Sequence, residues 1–177
     1  MTRITGPNGT VVDVDDQNRI RAFATSQPQD KDLNTKSKSW TLRFTNTPTG
    51  AGDNFFYLKN DGLKNIFVTD IRISSSVVTQ ILYNHVSGTA IGGTAITPLS
   101  RNLGAAASPT ATIEQGVDIT GLTDIGVIFF EECSVANTLF HLKTTSNIII
   151  PQGQAIAFQR VEATGLIDCV VSIVEAE

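Results

Sequence analysis

Methionine, tryptophan, histidine and cysteine are almost missing from this chain of 177 residues, which holds one, one, two and two of them. Charge is also scarce: 17% of residues are charged, and 13 Lys and Arg against 17 Asp and Glu leave a net −4. That balance excludes a generally basic coat for nucleic acid, though not a local basic patch. No run of apolar residues approaches the 18 or so that a membrane-spanning helix needs. The opening MTRITGPNG lacks the apolar stretch of a secretory signal. Cys133 and Cys169 lie far apart, so they form neither a CxxC redox motif nor a metal knuckle. They read as two buried or half-buried small side chains in a reducing cytoplasm. A disulfide between them requires neighbouring strands, which the sequence leaves open.

Apolar residues nevertheless reach 41%, enough for a core in one domain, or one domain plus an arm. Two zones are visible. Residues 1–38 are polar and rich in turn formers (TGPNGT, DVDDQN, SQPQDKDLNTKSKS), with one strand-like piece, RIRAF at 19–23. Such a segment buries too little apolar area to fold alone and reads as an extended arm that lies on something else.

From residue 39 onward, short apolar runs alternate with Gly, Pro, Asn, Asp and Ser clusters. SWTLRFTN (39–46) sets Trp40, Leu42 and Phe44 against Thr41, Arg43 and Thr45, the period of a half-buried strand. Further strands are expected at 55–60, 64–76, 77–84, 111–119, 124–132, 136–144, 147–153, 154–163 and 166–176. For 77–84, periodicity alone also permits a helical turn. GTAI at 88–91 and 93–96 reads as a Gly-rich hairpin or bulged strand. The connection 97–110 is irregular, with a small helical piece around 103–107. With 22 Thr and only six Glu, the composition suits pleated surfaces. The expected fold is all-β: an antiparallel β-sandwich of jelly-roll form over 39–177, preceded by the arm 1–38. Trp40, Leu42, Phe44, Phe67, Ile71, Phe129, Phe140, Ile156, Phe158 and Val171 are the expected core.

Candidate chemistry is sparse. His141 with Asp168 and a serine from 74–76 contains the residue types of a triad, but no G-x-S-x-G elbow accompanies them, and a half-exposed strand histidine is the plainer reading. His85 sits in the turn-like YNHVSG. Glu131 and Glu132, adjacent on a strand, point to opposite faces and cannot flank one glycosidic bond. Glu114 and Glu162 could face each other only across a sheet. Asp13, Asp15, Asp16 and Asn18 hint at calcium, but the EF-hand loop requires glycine and glutamate where Asn18 and Ala24 stand. The expectation is a protein that is not an enzyme and holds no cofactor or metal.

Four segments carry a resemblance: TGPNGTVVDVDDQNRIRAFA, FFYLKNDGLKNIFVTDIRI, GGTAITPLSRNLGAAASPTATIEQG and IIIPQGQAIAFQRVEATGLIDCVVSIVEAE. With them the chain resembles the small jelly-roll virion proteins of tailed bacteriophages, the head cement or decoration proteins and their relatives. The resemblance implies a structural role on a virion assembled in the host cytoplasm. It also implies a homo-oligomer, often a trimer, bound to the major capsid protein or other virion proteins, with no nucleic-acid or membrane contact. Arg19, Ile20, Arg21, Ala22 and Phe23 are the expected assembly segment, a strand able to add to a neighbour's sheet edge. A tail, baseplate or fibre component with a receptor-binding role, and a small jelly-roll capsid protein, are the alternatives.

Overall fold

The computed structural model describes residues 38–103, 108–142, 148–162 and 164–176, together with the backbone of three short strands nearer the N-terminus. The chain divides into two compact units, Met1–Asp32 and Leu33–Glu177. In the first, β1 (Thr2–Thr5), β2 (Val11–Val14) and β3 (Ile20–Ala22) form an antiparallel sheet in the order β1-β2-β3. The sequence reading expects one strand here, and the backbone has three. TRIT and VVDV are too short, and too closely followed by turn residues, to stand out by alternation. Ile20, Arg21 and Ala22 pair with Val14, Asp13 and Val12, so the backbone of the expected assembly segment is bonded along one edge rather than open on both. Arg19 and Phe23, and the cluster Asp15, Asp16 and Asn18, lie outside the described residues.

The second unit contains twelve strands among the described residues: β4 (Ser39–Asn46), β5 (Asn54–Asn60), β6 (Asn65–Ser75), β7 (Thr79–Ile91), β8 (Thr94–Ala95), β9 (Leu99–Ser100), β10 (Ala111–Gln115), β11 (Thr120–Cys133), β12 (Leu139–Leu142), β13 (Ile148–Ile150), β14 (Ala155–Arg160) and β15 (Ile167–Ala176). No helix occurs among the described residues. One sheet runs β11-β7-β14-β5-β10-β8; the other runs β12-β6-β15-β4-β9, with β13 also on β6. Every pairing is antiparallel. The two sheets pack face to face as a β-sandwich. Within the segment 77–84, residues 79–84 are strand, the start of β7, because Ile81 and Tyr83 point inward between β11 and β14. The 103–107 piece lies mostly outside the described residues.

The pairing is nested. Taken in chain order, with β12 and β13 as one interrupted strand, the first long strand pairs with the last (β4 with β15), then β5 with β14, β6 with β12 and β13, and β7 with β11. The connection from β7 to β11 breaks this order. It supplies β8 and β10, which extend one sheet beyond β5, and β9, which extends the other beyond β4. The edge opposite β11 and β12 is thus covered by one irregular connection, which protects backbone groups of β4 and β5 from stray pairing.

Alternation explains most of the core. Trp40, Leu42 and Phe44 of β4 are buried, as are Ile71, Ile156, Phe158 and Val171. Phe44 stacks on Phe56 at 5.0 Å between ring centroids, tying β4 to β5 across the sandwich, and Phe56, Phe158 and Tyr83 continue the cluster at 4.5 and 4.6 Å. Phe129 and Phe140 are only partly buried at its margin. Phe67 is a correction: Ile66 and Val68 take the inward positions instead. The cause is a register shift between Ser172 and Ile173, whose partners on β6 are Asp70 and Val68. Thr69 is the extra residue of this bulge and flips the face, so residues of one parity point inward before it and of the other parity after it.

Two glycines are required by close backbone approach. A Cβ on Gly88 (φ +103°) would sit 2.4 Å from the Gly121 carbonyl oxygen, and one on Gly121 (φ +76°) would sit 2.4 Å from that of Thr89. The GTAI repeat is therefore split: its first copy ends β7 beside β11, and its second spans β8.

Candidate functional site

The residue types of the expected catalytic groups do not converge. Nε2 of His141 hydrogen-bonds Oδ1 of Asp70, whose other oxygen accepts from Nε of Arg72 at 3.1 Å. Asp168 accepts from Oγ1 of Thr45 at 3.1 Å and lies 3.8 Å from the Arg43 guanidinium. Asp168 and Ser74 are register partners, yet no hydrogen bond joins either to His141 among the described residues. This set is a cross-strand charge network on the outer face of one sheet. His85 meets Oε1 of Gln154 at 2.8 Å. Glu114 is in register with Tyr57, which is in register with Ala157, five residues short of Glu162, so these two carboxylates do not face each other. Glu131 and Glu132 are consecutive on β11, opposite Ile81 and Gln80, and alternate between faces as expected.

The feature that the sequence reading missed is the β11 edge. DIGVIFFEE reads as a continuous apolar run. On the structure it is the outermost strand of its sheet, and Ile125, Val127 and Phe130 are each more than half exposed, with Ile128 close behind at 44%. Of the run's large apolar side chains only Phe129 packs against the core, partly buried and stacked on Tyr83 at 4.2 Å. The reason is three register shifts against β7, between Thr120 and Leu122, Asp124 and Gly126, and Val127 and Phe129. The second and third shifts insert Ile125 and Ile128 as extra residues on β11, while the first places its extra residue on β7, and the two β11 bulges break the alternation that would have buried every second side chain. On the other sheet, Leu139 of β12 and Ile149 of β13 are also exposed, and Ile149 lines one cleft with Ile128. Gly126 inside an apolar run is the one sequence signal of such a bulge.

Beside the exposed run this apolar cleft of about 490 Å³ opens between the sheets, walled by Ile128, Ile148, Ile150 and Ile156, with His85 and Gln154 as its polar groups. At the other end of the sheet, Arg160 is fully buried. Its Nη1 donates to the Gly165 carbonyl at 2.6 Å, while Nε and Nη2 have no hydrogen-bond partner among the described residues. Burial pushes the Arg160 pKa down, an effect opposed by the neighbouring Cys133. Among the described residues no carboxylate forms an ion pair with this guanidinium, so it is a buried cation held by a backbone carbonyl.

Cys133 and Cys169 are free and buried. Burial, and then the Glu131 carboxylate, push the Cys133 thiol from 9.0 up to about 11, and burial pushes Cys169 well above its ordinary value. Both thiols should resist alkylation in the native protein at pH 8 and react together after denaturation, which intact mass would read. Unfolding releases these thiols to their ordinary pKa. Their contribution to stability is complete below about pH 9 and is lost as pH rises toward the folded-state value. Rapid native labelling of either cysteine would contradict this.

Among the described residues no cluster of three or more metal-ligating side chains exists. The most prominent surface feature is the β11 edge, an apolar strand that also carries Asp124, Glu131 and Glu132. No protein-family model, no curated protein and no solved structure matches the chain.

Proposed function

We propose that this chain is a non-catalytic virion structural protein, a cement or decoration protein that binds and stabilises an assembled bacteriophage head as a homo-oligomer. The observation that carries the reading is the β11 edge, where Ile125, Val127, Ile128 and Phe130 stand exposed on a two-sheet body. Contiguous apolar surface of this kind is the mark of a protein–protein contact. A fold alone does not imply a function. The nested pairing of eight strands supports the jelly-roll reading, the fold of the virion proteins that the sequence resembles. A tail, baseplate or fibre part, or a small capsid protein, would use the same body. Copy number on a purified particle separates these, with dozens to hundreds favouring cement and a handful favouring a tail or vertex part.

In this reading the N-terminal unit, with Arg19–Phe23, is the attachment device, adding a strand to a sheet edge of the capsid protein. The test is truncation at the unit boundary, removing residues 1–32. Lys38 is kept, because its carbonyl accepts from the Glu175 amide at 2.9 Å. The expected result is an unchanged thermal melt of the sandwich and loss of co-sedimentation with particles lacking the protein. Full occupancy by the truncated chain would end the attachment role. Failure of the full-length chain to bind any such particle would end the cement reading itself.

A further inference from the structure

We infer that copies of this chain associate head to tail, the β11 edge of one protomer seating on the Leu99–Leu103 segment at the opposite edge of the next. This deepens the proposed assembly role by naming the two surfaces and the partner, a second copy. The two edges are chemically complementary. From Asn102 to Leu142 the chain carries five carboxylates and no Lys or Arg. Three of them, Asp124, Glu131 and Glu132, belong to β11, and none of the three is in an ion pair among the described residues. At the other edge, Arg101 is the only Asp, Glu, Lys or Arg between Arg72 and Glu114. It is exposed, is in no ion pair among the described residues, and stands between the exposed Leu99 and Leu103. Each edge thus offers large apolar side chains with charge of one sign.

The receiving segment is held in place. Ser100 and Leu99 pair with Trp40 and Thr41 of β4, and the Arg101 amide donates to the Ser39 carbonyl at 2.9 Å. Leu99 and Arg101 are therefore held by backbone bonds to β4, with Leu103 in the turn just beyond, and little ordering entropy is lost at the anchored positions on docking. A symmetric contact of β11 with β11 would bring two sets of three carboxylates together with no cation between them, which is unfavourable. Head-to-tail contact avoids this and buries opposite charges beside apolar area. Because the two edges lie at opposite sides of the sandwich, the contact is heterologous and propagates until the rotation closes a ring.

Sedimentation velocity of the full chain over a concentration series tests this. Wild type should associate, and Arg101→Glu or Glu132→Lys should each weaken association by about tenfold or more, the difference that 1.4 kcal/mol makes. Combining Arg101→Glu with Glu132→Lys should recover most of that loss, which a merely structural effect would not do. Phe130→Ser should weaken association without lowering the melt, since the side chain is exposed. A wild type that stays monomeric at about 100 µM, an Arg101→Glu variant that associates as wild type does, or a charge swap no better than its singles would each overturn the inference. Particle binding by a monomeric chain would leave the cement reading standing while this contact falls. Loss of particle binding with self-association intact would do the reverse.

Discussion

Replacing Phe158 by alanine should destabilise the sandwich by roughly 3–5 kcal/mol, the range for a fully buried aromatic whose site cannot collapse. Phe158 is fully buried at the centre of β14, which has a bonded strand on each side, β5 and β7. Its ring centroid lies 6.2 Å from Phe55, 4.5 Å from Phe56 and 4.6 Å from Tyr83. Phe56 in turn stacks on Phe44 of the facing sheet. Backbone hydrogen bonds on both sides keep the strand from shifting into the cavity, so the surrounding rings lose their contacts outright. For a domain of this size each kcal/mol lowers the melting temperature by about 2–4 °C, and the expected drop is roughly 6–20 °C. Denaturant titration with an unchanged slope would assign the loss to the native core. Phe129→Ala is the internal comparison. That ring stacks on Tyr83 from an edge strand and is only partly buried, so its loss should cost distinctly less. A loss below about 1 kcal/mol for Phe158→Ala would show that the ring cluster does not hold the two sheets together.

What the sequence made legible follows from what alternation encodes. SWTLRFTN is a period-two strand without interruption, and β4 occupies those eight residues, Ser39–Asn46. The longer strands from β4 onward, the all-β class and most of the expected core were accessible in the same way, because burial on one face of a sheet writes itself into every second residue. Two of the failures, Phe67 and the exposed β11 run, share one physical origin, the bulge. One extra residue at Thr69 sends Phe67 outward, and three shifts along β11 put an apolar run on the surface. A bulge leaves little trace in composition beyond an occasional glycine. Pairing order was also out of reach. Nothing local in residues 92–119 says that one connection will extend both sheets, since that depends on contacts far apart in the chain. The candidate assembly surface was hidden for the same reasons. RIRAF was visible as a strand, whereas its partner β2 and the exposed β11 edge were not.

Substituting Asn60 by aspartate should cost about 3 kcal/mol or more at neutral pH, because it turns a donor into a charge among acceptors. Asn60 ends β5 and is 1% exposed. Its Nδ2 donates to the carbonyls of Lys64 and Ile150 at 2.7 and 2.8 Å, and its Oδ1 accepts from the Gly62 amide at 2.9 Å. One side chain thus fastens the turn before β6 to the end of β13. A carboxylate has the same shape but no donor. Two carbonyl oxygens would then face a negative oxygen, and only the Gly62 bond would survive. Burial and the two carbonyls both disfavour the ionised form, so the folded-state pKa of the introduced carboxyl lies above the ordinary value of about 3.9. A raised folded-state pKa leaves stability intact below the unfolded value and removes it as pH rises through the folded one. The deficit relative to wild type should therefore shrink on acidification, because the protonated acid can donate one bond again. Asn60→Ala provides the contrast: it also loses both donors and leaves the carbonyls unpartnered, but it carries no charge, so its deficit should stay constant over the same pH range. Denaturant midpoints of the three proteins across a pH series would read both effects. A neutral-pH midpoint for Asn60→Asp equal to wild type would mean that this residue does not fasten the two turns. A deficit that grows on acidification would mean that the introduced carboxyl is held ionised by a cation, and that the polar contacts assigned to Asn60 are wrong.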